Sequence, residues 1–291
     1  MNTPHSPIKV TLDRCLDWAI EHDDYRCMQP WLDAGATPDP GQHVLDRCLQ
    51  AAIDLDNLVC AEWLLQVNAN PNAVTEWGEH FIHQAESRSM VELLHKYGAQ
   101  IDAIHGKAGR LLLGLNAEHD RQLITCSADD FEKHREPRYA TRNGEEITTP
   151  FHLSMIESGE SAYGAGEHFK FERSFSDPVW QHIWNVARFG QSTTLLPDGR
   201  YIQIGGEHED YYDPDFFIYN DVIVHAMPTQ AGDSWRRQVL VYSRDVFPPT
   251  DHHSATVVGD DIIVIGNLGY RGERQPGFTP VFALNIPSMQ F

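Results

Sequence analysis

The chain is short of positive charge. Its 291 residues hold 22 Lys and Arg against 42 Asp and Glu, a formal net charge of -20 at pH 7. Such a surface repels phosphate, which argues against a nucleic-acid ligand and against an anionic membrane surface. It favours fast association with basic partners. Cysteine is sparse as well. The five, Cys15, Cys27, Cys48, Cys60 and Cys126, are odd in number and form no C-x-x-C pair, so no disulfide framework or cysteine zinc site is spelled out. Free thiols suit a reducing compartment. No window approaches the roughly 18 apolar residues of a membrane span, and residues 1–7 contain no apolar run that could serve as a signal core. A cytoplasmic location is expected.

Catalytic signatures are also missing. Gly159 to Gly166 is glycine-rich but lacks the lysine of a phosphate loop and reads as turn chemistry. Neither Ser192 nor Ser254 sits in a Gly-x-Ser-x-Gly elbow. There is no His-Glu-x-x-His and no aspartate-rich calcium loop. No complete catalytic set emerges, and no cofactor is expected.

What the chain does contain is repetition. Leu12-Asp13-Arg14-Cys15-Leu16 returns as Leu45-Asp46-Arg47-Cys48-Leu49, an offset of 33. The same offset relates Cys27 to Cys60, and Ala19 to Ala52 to Ala85. Leu32 to Asp39 matches Leu65 to Asn72, and His95 to Asp102 follows as a third, shorter-spaced copy. Each copy predicts a short first helix with a small Ala inside, then a second helix with apolar residues at i, i+3 and i+4, as at Cys60, Trp63, Leu64 and at Val91, Leu94. Gly35, Asn68 and Gly98 stand one step past the second helix, where a left-handed cap is needed. A fourth, shortened unit over residues 103–116 would cap the stack with its leucines.

This period, with Ile82-His83-Gln84-Ala85 opening one helix and Tyr97-Gly98-Ala99 closing the next, resembles ankyrin repeats. The family's Thr-Pro-Leu-His-x-Ala box is degraded at Arg14 to Ala19 and at Arg47 to Ala52, which lack both Pro and His. The resemblance implies binding through turn tips and the exposed side of the first helices. The tip residues here would be Asp39, Gln42 and His43, then Thr75, Glu76 and Trp77, then His105 and Lys107. Trp77 is the strongest anchor among them, because aromatic anchors dominate interface energies.

Residues 117–188 are less periodic and read as a helical connecting region. Ser127 and Thr149 look like helix caps, with Pro150 at the first helical position. The polar stretch from Glu136 to Thr149 reads as a linker with an Asn143-Gly144 turn. Trp180 and Trp184 stand four apart, as on one helix face.

Residues 189–291 change character. Thr193 to Leu196 and Arg200 to Ile204 flank Pro197-Asp198-Gly199, a hairpin signal. Gly205-Gly206 follows, then an acidic loop, a strand over Tyr219 to His225 and a fourth over Gln238 to Ser243. A second copy runs from Ser254 to Val258, Gly259-Asp260-Asp261, Ile262 to Ile265, Gly266-Asn267-Leu268-Gly269 and Pro280 to Asn285. Hairpin, paired glycine, loop and strand resemble the kelch unit, the blade of one class of β-propeller. Two units, the second lacking its last strand, cannot close a ring. A twisted antiparallel sheet on the middle helices is expected, with edges covered by those helices or by another chain. The string from Phe189-Gly190-Gln191-Ser192 through Gly206-Glu207-His208-Glu209-Asp210, together with Phe247-Pro248-Pro249-Thr250-Asp251, resembles bacterial proteins that join ankyrin-type repeats to kelch-type units. The expected class is α+β: a helical repeat stack (1–116), a connecting region (117–188) and an antiparallel β segment (189–291).

Function then has two main readings. One is a non-enzymatic module that binds a protein, with inhibition or immunity against a basic toxin or enzyme as its sharpest form. The other is a metal-dependent enzyme in the acidic loops. Glu207, His208 and Asp210 stand in one loop, Asp251 and His253 before the matching strand, and His with carboxylates suits a divalent metal. Copper chemistry with a Tyr-Cys pair, known in one kelch-type enzyme, has no cysteine after Cys126 to use. A degenerate scaffold without activity is the bland alternative.

Overall fold

A computed structural model describes residues 42–101, 106–171, 182–208, 216–228 and 234–291. The first repeat copy with Cys15 and Cys27, and Asp39, His105, Trp180 and Asp210, lie outside them. The described residues form seven α-helices and antiparallel sheets, a mixed α+β chain. None of these helices is long and apolar enough to cross a membrane. The chain divides into two compact units, Met1–Ala117 and Glu118–Phe291.

The first unit is helical: α1 (Gln42–Asp54), α2 (Leu58–Gln66), α3 (Arg88–Lys96) and α4 (Lys107–Leu112). Asn57 and Ser87 cap α2 and α3 by accepting from the amides of Cys60 and Met90. Both second helices end as the sequence demands, with Asn68 (φ 72°) and Gly98 (φ 97°) in the left-handed region. Leu49 and Ile53 of α1, Leu64 of α2 and Met90, Val91 and Leu94 of α3 are fully buried. Each such side chain contributes about 1.5–3 kcal/mol on leaving water. One expected helix is absent. In the third copy the first helix is a single 3-10 turn, Phe81–Gln84. Ser87 starts α3 only three residues later, so there is no chain length for a full helix. The turns of neighbouring copies are tied together: Asn72 donates to the Gly98 carbonyl (2.9 Å) and accepts from the Gln100 amide (2.8 Å).

The second unit begins with a 3-10 turn (Arg121–Leu123) and α5 (Ala128–His134), β1 (Glu145–Glu146), α6 (Pro150–Ser158) and α7 (Ala162–Phe169). Nine strands follow: β2 (Ser192–Leu195), β3 (Tyr201–Ile204), β4 (Glu207–His208), β5 (Phe217–Ile218), β6 (Val222–Ala226), β7 (Arg236–Val241), β8 (Ser254–Val258), β9 (Asp261–Ile265) and β10 (Val281–Asn285). The large sheet has the order β1-β7-β6-β3-β2, the small one β10-β9-β8, and β4 pairs with β5.

Both sheets are antiparallel meanders, each opened by a tight hairpin. In the first, Gly199 takes φ 86° and Leu196 bonds to Arg200 across the turn. In the second only Gly259 and Asp260 form the loop, and Asp261 already pairs with Val258. The core lies between the sheets. Ile202, Ile204, Val222 and Val224 of the large sheet pack with Ile262, Val264 and Leu284 of the small one. The other face of the large sheet is closed too: Arg237 meets Glu157 of α6 (2.7 Å).

Three expectations are corrected here. The polar stretch before Thr149 is no free linker, because Glu145 and Glu146 pair with Val241 and Leu240 and cover the edge of β7. The strand expected from Tyr219 starts at Val222, because Asn220 and Asp221 turn their side chains inward; Asn220 donates to the carbonyls of Tyr242 and Phe247. Trp184 is in no helix. It is buried in an irregular segment and donates its indole N–H to Asp221 Oδ2 (2.7 Å).

Candidate functional site

In the first unit the chain between α2 and the 3-10 turn folds into a narrow loop. A bridge between Val74 and His80 closes its base. Thr75 accepts at its hydroxyl from the amides of Trp77 (3.2 Å) and Glu79 (3.3 Å), and its own amide donates to the Glu79 carbonyl (2.8 Å). Gly78 closes the turn at φ 81°, where a side chain would be strained. Thr75 is therefore the buried hinge of the tip and not a presented residue. Glu76 and Glu79 are exposed, and Trp77 is 85% exposed. The remaining tip candidates divide. Gln42 and His43 start α1 and belong to a helix. Lys107 starts α4 and is paired with Glu86, mostly out of solvent.

In the second unit four loop segments meet, around residues 189–191, 205–207, 250–252 and 267–269. Backbone bonds join them: Glu207 with Phe189 in both directions, Gly206 to Thr250, His252 to Gly190 and Leu268 to Asp251. The paired glycine is required. A Cβ on Gly205 would stand 2.1 Å from the Thr250 carbonyl oxygen, and one on Gly206 2.9 Å from that of Phe189.

This junction brings Glu207 and Asp251 together, as the sequence suggested, but with His252 as the third member. One ligand atom from each lies within 4.8 Å of the others. His253 and His208 turn elsewhere. His253 Nε2 meets the Ser192 hydroxyl at 2.8 Å, and His208 Nδ1 meets the Asn185 amide at 3.0 Å. Burial lowers the His253 pKa to about 4, against the opposing pull of Asp251, so the imidazole is neutral at pH 7. A serine and a neutral histidine are two parts of a nucleophilic set, but no carboxylate holds the other ring nitrogen, Nδ1.

The sequence reading named His253 and not its neighbour; in a regular strand residues 251 and 253, and not 251 and 252, would share a face. The regularity breaks at His252, which takes φ 47°. A second group gave no local signal at all. Arg188 and Asp221, 33 residues apart, form a buried ion pair, with Arg188 Nη2 donating to Asp221 Oδ2 at 2.9 Å. Arg188 also donates to the carbonyls of Asn185 and Gly205 and lies 3.4 Å over the Tyr219 ring. This pair anchors the junction from below.

Family models, curated proteins and solved structures were compared with the chain, and none matches.

Proposed function

We propose that the protein is a non-enzymatic interaction module that binds a basic protein through the Trp77 tip of its first unit. The observation that carries this reading is the indole itself. A tryptophan left 85% in water gains several kcal/mol when a partner covers it. It is held on a loop whose hydroxyl and backbone bonds already fix its shape, so little ordering entropy opposes docking. Glu76 and Glu79 flank it, and the chain carries -20 overall, which favours a partner with an apolar pocket rimmed by Lys or Arg. An ankyrin-type reading of the first unit is supported by the period of 33, the left-handed helix ends and the turn-to-turn bonds of Asn72. A kelch-like reading of the second is supported by its two meanders and paired glycine. Inhibition of a basic toxin or enzyme is the role such a surface fits best. Self-association through sheet edges has less to build on, since β1 already covers the β7 edge.

The test is capture of partners by the full chain and by Trp77→Ala. The account expects a basic protein, held more weakly as salt rises, that the variant loses. Equal capture by both chains would remove the reading.

A further inference from the structure

The loop junction of the second unit carries a feature that protein binding at Trp77 does not use. Asp251 is completely buried. Its Oδ1 accepts from the Gly269 amide at 2.6 Å, while Oδ2 is buried with no hydrogen-bond partner. Burying an ionised carboxylate oxygen without a donor is costly, and native proteins pair such groups with hydrogen bonds or cations. Two further ligand types converge on the same place. Glu207 and His252 are 3.1 Å apart, Oε1 to Nε2, with side chains 20% and 48% exposed. The three donors come from two chain segments, around residues 207 and 251–252, whose backbones are bonded to one another through the Gly206 amide and the Thr250 carbonyl, so the cluster is a fixed product of the fold.

We infer that Glu207, Asp251 and His252 form a binding site for one divalent transition-metal ion, with Zn²⁺ or Mn²⁺ as the fitting class. Two carboxylates and an imidazole suit these ions better than the all-oxygen shells of Ca²⁺ and Mg²⁺ or the thiolate sites of soft metals. Ligand atoms around such an ion at about 2.1 Å stand roughly 3–4 Å from one another. The observed cluster, within 4.8 Å, needs only a small contraction. The cation would satisfy Asp251 from the buried side, while exposed His252 leaves the outer side open to solvent or a ligand. Gly190 shapes the site from beneath: a Cβ there would stand 2.7 Å from the His252 ring. Glycine is what lets the imidazole lie over this bend.

Calorimetric titration of the metal-stripped full chain with Zn²⁺, repeated with Mn²⁺, tests this. The expected result is one tight equivalent, weakened at least tenfold by Glu207→Gln and by His252→Ala and unchanged by Glu92→Gln in the first unit. Asp251→Asn should lose the equivalent as well. Because its buried side chain also supports folding, the two more exposed variants decide the matter if it fails to fold. Absence of a tight equivalent overturns the inference. So does affinity that is unmoved in Glu207→Gln and His252→Ala chains with unchanged melting.

Discussion

The two units place their chemistry in opposite ways. The described interior of the first is almost wholly apolar, with Arg110 and Thr75 as its buried polar side chains, and its most unusual group is an apolar one left outside, Trp77. The second unit hides polar groups instead: His152, Asn185, Arg188, Gln203, Asp221, His225 and Asp251 are all buried. The difference follows from how each is built. The repeat unit is joined by contacts between residues about 30 apart, copy to copy, so a few apolar positions per copy specify it. The β unit joins loops from distant stretches, and buried side chains must meet the backbone groups that such loops leave unpaired. Surface chemistry therefore belongs to the first unit and interior chemistry to the second.

Substitutions should expose this contrast in order of size. Asp221→Ala leaves the Arg188 guanidinium buried without its carboxylate, and should cost about 3–5 kcal/mol in urea unfolding. Gly205→Ala forces a Cβ against the Thr250 carbonyl at a left-handed residue, and should cost about 3 kcal/mol or more. A loss below about 1 kcal/mol in either Asp221→Ala or Gly205→Ala would mean that the junction is softer than its bonding implies.

Acid should also find the second unit first. Burial, aided by the nearby charges of His134, Arg138 and Arg188, lowers the His152 pKa from 6.5 to about 3. The unfolded chain then takes up this proton before the folded one does. The contribution is complete above pH 6.5 and lost as pH falls towards 3, roughly 2 kcal/mol of it by pH 5. Melting followed against pH should show the slope, and His152→Gln should flatten it. In the first unit effects should be small. Asn72→Ala removes two exposed turn-to-turn bonds and should cost about 1 kcal/mol. Trp77→Ala should change stability by less than about 0.5 kcal/mol, because the side chain contributes little to the folded interior.

The same contrast decided how much could be read in advance. Helix ends at Asn68 and Gly98, the hairpin at Pro197 to Gly199 and the exposed Trp77 all follow from local rules, and all are visible in a short window of residues. The partnership of Arg188 with Asp221 is not, because no periodicity links residues 33 apart in an irregular segment. The metal candidates fell between. Glu207 and Asp251 were legible as acids in matching loops, while the choice of His252 over His253 depended on one backbone angle. The edge strand at Glu145 was hidden by its polarity, since an edge strand faces water.

The most direct measurement is site-specific photocrosslinking in the native cell, with a photoreactive residue at position 77 and, as control, at exposed Lys133 of the second unit. The account predicts one discrete cross-linked basic protein from position 77 and none from position 133. No cross-link at 77, or the same products from both positions, would contradict the claim that this protein works through its Trp77 tip.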